Sequence, residues 1–94
     1  MLDQELSKSV ASQLMTGTTV TVEGRSSPVR HTSRQRLKTI AFRVGGNEYQ
    51  AIEQNPEKPG RWGQLARSGH QVVQFKDAKR NKFVAVVVDG EVTF

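Results

Sequence analysis

The residues best equipped for chemistry in this sequence are its arginines and lysines, and they are unevenly spaced. Between Glu23 and Glu48 there is no acidic residue, while Arg25, Arg30, Arg34, Arg36, Lys38 and Arg43 supply six positive charges. That run alone exceeds the net charge of +5 carried by the whole 94-residue chain. All but Lys38 are arginine, whose planar guanidinium grips phosphate or carboxylate through paired hydrogen bonds and is more weakly hydrated than an ammonium. Ser26, Ser27, Thr32, Ser33 and Gln35 lie among them and can add neutral hydrogen bonds to phosphate oxygens. Lys76, Lys79, Arg80 and Lys82 make a second cluster, and the two would merge into one patch if their segments lay at the same end of a sheet. The expected anion- or nucleic-acid-binding residues are therefore Arg25, Arg30, Arg34, Arg36, Lys38, Lys79, Arg80 and Lys82. The competing role for the same charges is a solvated loop that keeps a small domain soluble.

Other chemistry has less to stand on. There is no cysteine, so no disulfide framework, thiolate nucleophile or thiolate ligand. His31 and His70 are the only histidines and make no familiar zinc spacing, so no metal and no cofactor is expected. The acids Glu53, Glu57, Asp77 and Asp89 fit turns and strand ends. No nucleophile elbow and no phosphate-cradling glycine loop occurs, and the expectation is a protein without enzymatic activity. Single-stranded bases stack on exposed rings, yet Phe42, Tyr49, Phe75 and Phe83 all fall on predicted core faces. Trp62 shares a helical face with Leu65 and Ala66 and reads as a core anchor more than an exposed ring. What remains is phosphate-backbone electrostatics without stacking.

The elements that would position these residues follow from periodicity. Leu2, Leu6, Val10 and Leu14 recur every four residues and predict an N-terminal helix over 1–17, stopped by Gly17. Val20 and Val22 alternate with threonines as a half-buried strand that Gly24 ends. Residues 25–36 show no usable periodicity and read as a basic, mobile loop, and 37–94 form the sheet core. Ile40, Phe42, Val44, Tyr49 and Ala51 share one face of a hairpin turning at Gly45-Gly46 or Gly46-Asn47, since the two registers differ by an even slip. Asn55 to Gly60 is a stiff, proline-bearing connection to a short helix at about 61–68. Strands follow at 71–76 and from Phe83, where an unbroken apolar run meets Asp89-Gly90, a type I′ turn pair.

This order predicts one α+β domain with a small, strongly curved antiparallel sheet of about five to six strands that could close like a barrel. The expected function is a small non-catalytic binding module whose basic surface contacts nucleic-acid phosphates or an acidic protein. The alternative is a protein–protein or homodimeric assembly module using the N-terminal helix or a sheet edge. No apolar run is long enough for a membrane span, no secretory leader is visible, and the expected location is the cytoplasm.

Overall fold

The computed structural model describes residues 2–94. Helix α1 (Gln4–Thr16) starts where Asp3 caps it, its Oδ1 accepting from Leu6 N–H at 2.7 Å. It ends at Gly17, whose N–H donates to the Gln13 carbonyl. Its stripe is spent on the chain's own core: Val10 and Leu14 are fully buried, and Leu2 and Leu6 pack against the same cluster. Strands β1 (Thr19–Val22) and β2 (Arg25–Pro28) form a two-stranded hairpin. Then come β3 (Arg30–His31), β4 (Lys38–Val44), β5 (Asn47–Glu53), helix α2 (Arg61–Arg67), β6 (Val72–Asp77), β7 (Lys82–Val88) and β8 (Glu91–Thr93). The last six strands pair antiparallel, in sequence order, as one sheet.

The fold is therefore α+β, with an N-terminal helix and a short second one. The expected strong curvature and closure are absent: the sheet is open, with β3 and β8 at its two edges. Edges of two and three residues are too short to zip together into a barrel, and short edges also blunt pairing with other chains. Instead α1 and the β1–β2 hairpin cover one face. There Ile40, Phe42, Val44, Tyr49, Ala51, Val73 and Phe75 meet Val10, Leu14, Val20 and Val22. Phe75 is fully buried with its ring 6.1 Å from Phe42, so its truncation to Ala would cost about 3–5 kcal/mol.

Residues 25–31 differ from the expectation of a loop, which 32–36 keep. Glu23 and Gly24 take φ of 51° and 75° and turn the chain so that Arg25–Pro28 pairs with Thr19–Val22. The strand escapes an alternation search because β2 carries no large apolar side chain to reveal its inner face. Val29, which follows it, does pack against the core. The Gly45-Gly46 register holds, pairing Phe42 with Tyr49, and Asp89-Gly90 forms the expected two-residue turn.

Phe83 is the main correction. Between β6 and β7 the pairing steps from Phe75–Ala85 to Lys76–Phe83, which leaves Val84 as an extra, bulged residue. An unbroken ladder would put Phe83 on the core face with Ala85 and Val87, because side chains alternate with period two. The bulge gives that inward place to Val84, which packs on the core, and turns Phe83 outward to 57% exposure. Phe94 is likewise out, at 69%. Trp62 is half-buried, with the Arg61 guanidinium 5.1 Å from its ring centroid.

Candidate functional site

The sheet's two ends sort the predicted cations. Because neighbouring strands run antiparallel, Val44, Asn47, Asp77 and Lys82 mark one end and Lys38, Glu53, Val72 and Val88 the other. Lys79 and Arg80, in the connection from β6 to β7, and Lys82, the first residue of β7, belong to the first, hereafter the turn end. Arg30, Arg34, Arg36 and Lys38 belong to the second, where β3 pairs with the start of β4. Along β4 these ends are roughly 20 Å apart. That is more than two screening lengths at physiological salt, so the condition for one merged patch is not met by Arg30, Arg34, Arg36 and Lys38.

Arg25 parts from the other arginines of its run. The Glu23-Gly24 turn reaches the turn end, where Glu23 Oε1 accepts from Gly45 N–H at 3.3 Å. Arg25 there lines a shallow depression of about 200 Å³ with Ser27, Ala41, Arg43 and Glu48. Cations from three segments thus gather at this end: Arg25, Arg43, and the trio Lys79, Arg80 and Lys82. The carboxylates beside them are engaged. Glu48 pairs with Arg43 at 2.9 Å, and Asp77 Oδ1 accepts from the backbone N–H groups of Lys79 and Arg80 at 3.0 and 3.1 Å. Arg25, Lys79, Arg80 and Lys82 are exposed, and among the described residues none has a carboxylate within 4.0 Å. An open groove of about 1020 Å³ runs past this end, with Lys79 and Arg80 on its rim beside apolar Leu2, Tyr49, Val84 and Phe94.

At the opposite end Lys38 has structural work. Its Nζ donates to the Met15 carbonyl at 2.9 Å, satisfying the last turn of a helix that has no basic residue of its own there. Its backbone N–H donates to Glu53 Oε1. Arg30, Arg34 and Arg36 are exposed. His31 is exposed in β3, and His70 hydrogen-bonds through Nδ1 to Asp89 Oδ2 at 2.6 Å, linking the approach to β6 with the β7–β8 turn. Among the described residues no three His, Asp or Glu side chains converge as a metal site would require, and no helix is long and apolar enough to cross a membrane.

Arg43 and Lys76 stood in the two basic clusters read from the sequence but not among the expected binding residues, and sequence reasoning missed Phe83 as an exposed ring. Lys76 Nζ lies 5.8 Å from the Phe83 ring centroid. The signal available for Arg43 was its place two residues before the Gly45-Gly46 turn, on the polar face of β4. Phe83 had no such signal, because its orientation depends on a bulge. The chain matches no family model, no curated protein and no solved structure.

Proposed function

We propose that this protein is a non-catalytic binding module that grips nucleic-acid phosphates at the turn end of its sheet. The observation that supports this reading is the gathering of Arg25, Lys79, Arg80 and Lys82 at one end with their neighbouring carboxylates engaged elsewhere. Phosphates that meet such cations release condensed counterions, which gives binding its steep dependence on salt. Arg43 stays in its exposed pair with Glu48 and adds less.

The test compares two triple variants in fluorescence-anisotropy titrations of labelled RNA and DNA at several salt concentrations. Lys79→Ala/Arg80→Ala/Lys82→Ala should weaken binding irrespective of sequence and flatten the slope of log K against log salt by about 0.7–0.9 for each phosphate left unneutralised. Arg30→Ala/Arg34→Ala/Arg36→Ala should act less. Unchanged binding in the first variant, or no binding by the native chain, overturns the proposal.

A further inference from the structure

Resting on the phosphate reading above and narrowing its ligand, we infer that the bound nucleic acid is single-stranded and stacks a base on Phe83. Residues directly opposite in antiparallel strands share a face, so Ala41, Gln50, Lys76 and Phe83 form one row across β4, β5, β6 and β7. This row lies on the face away from the main core. Ala41 and Phe83 are exposed and Gln50 and Lys76 half-buried, so the row meets solvent. Gln74, the residue two before Lys76 on β6, lies on the same face.

The bulge at Val84 brings a bare aromatic ring to this face, beside an ammonium and amides. Lys76 lies directly beside the ring and Gln50 one strand further. The apolar Ile52 and Val86 of the next row on this face are half-buried and buried, so an apolar protein partner would find little exposed there. A nucleotide matches both chemistries at once. Its base presents a π-face to Phe83, its edge can meet the amides of Gln50 or Gln74, and its phosphates can meet Lys76 and the cations of the adjoining turn. Lys82 immediately precedes Phe83, and Arg25 and Arg43 stand by Ala41 at the other side of the row. A duplex keeps its base faces stacked inside and offers Phe83 nothing, so the ring specifies strandedness while the cations supply sequence-independent affinity.

The experiment measures anisotropy with a labelled oligouridylate of about a dozen nucleotides, within the span of sheet-type single-strand sites, and with an RNA duplex of the same length. The native chain should prefer the single strand. Phe83→Leu should lose about fivefold or more on the single strand while duplex affinity and salt slope stay unchanged, and Phe83→Tyr should retain binding. Equal affinity of the native chain for both probes, or full single-strand affinity in Phe83→Leu, overturns the stacking inference. The phosphate reading survives that result if Lys79→Ala/Arg80→Ala/Lys82→Ala still flattens the salt slope. A Phe83-dependent dimer in sedimentation, with neither probe bound, overturns both.

Discussion

The two ends of the six-stranded sheet both carry cations but put them to different use. At the turn end, Glu23-Gly24 and Gly45-Gly46 reverse the chain in two residues, each with φ between 51° and 83°, and the short turn leaves few backbone groups unpaired. The opposite end carries the longer connections, 32–37 and 54–71, whose backbone carbonyls need donors from side chains. Arg67 Nη1 supplies two, to Pro56 at 2.6 Å and Lys58 at 3.1 Å, and at the same end Lys38 Nζ donates to the Met15 carbonyl in the last turn of α1. At the turn end Lys79, Arg80, Lys82 and Arg25 are left for a ligand; at the opposite end Lys38 and Arg67 are consumed as mortar, while Arg30, Arg34 and Arg36 stay exposed.

The largest effect that would sharpen this contrast is at Gly63. It is buried within α2, and a Cβ there would lie 1.9 Å from the Lys58 carbonyl oxygen, a backbone atom with no cheap way to move. Gly63→Ala should therefore push α2 off the 54–60 connection and destabilise the domain by about 1–3 kcal/mol. Thermal unfolding should show the midpoint falling by at least about 4 °C. Nucleic-acid affinity measured well below that midpoint should be unchanged, since α2 sits at the far end from the proposed contact. A variant that melts like the native chain would mean the tied end is looser than its hydrogen bonds imply.

Next in size is Lys38. Lys38→Met keeps the stem and removes the ammonium, leaving the Met15 carbonyl without that donor. The expected cost is about 1 kcal/mol in urea unfolding, with no change in affinity or salt slope for RNA. An affinity drop matching that of Lys79→Met would break the comparison, because Lys38 would then touch the ligand and not cap a helix.

The elements that the sequence announces are those whose side chains alternate between two environments. Ile40, Phe42, Val44, Tyr49 and Ala51 declare the central hairpin because one face is buried and the other is wet. The Leu2–Leu14 stripe declares α1 for the same reason, and Asp89-Gly90 declares its turn through φ preference. β2 is illegible because Arg25-Ser26-Ser27-Pro28 is held by backbone pairing and one Thr21–Ser26 hydroxyl contact, with no large apolar side chain. The bulge at Val84 is illegible because it shifts register inside an apolar run, where either phase buries a valine. The candidate site inherits both gaps. Arg25 and Arg30 are close in sequence but are carried to opposite ends by the strand between them, and no count of charge reveals that.

The smallest effect concerns the link that closes the tied end. Asp89 takes φ of 49° in the β7–β8 turn, and its carboxylate accepts from Gln71 N–H at 2.9 Å as well as bonding the His70 ring. The His70 hydrogen bond first, and the Gln71 N–H second, hold the Asp89 carboxyl below the usual carboxylate range. Both interactions favour the ionised form, so the folded chain binds a proton here less readily than the unfolded chain. The resulting stabilisation is fully present above the ordinary carboxylate pKa of about 4 and is lost as pH falls through the lowered folded value. Asp89→Asn keeps a side chain that tolerates positive φ and an acceptor for Gln71, and removes only the charge. Urea midpoints of the two proteins should differ by a constant small gap from about pH 5 to 6 and converge below about pH 4. Because the group is exposed, salt should narrow the gap as well. A gap that persists unchanged into acid would show that the Asp89 charge contributes nothing and that the turn geometry alone joins β7 to β8. The tied end would then owe its closure to backbone and to Lys38 and Arg67, with His70 left as free as the cations at the turn end.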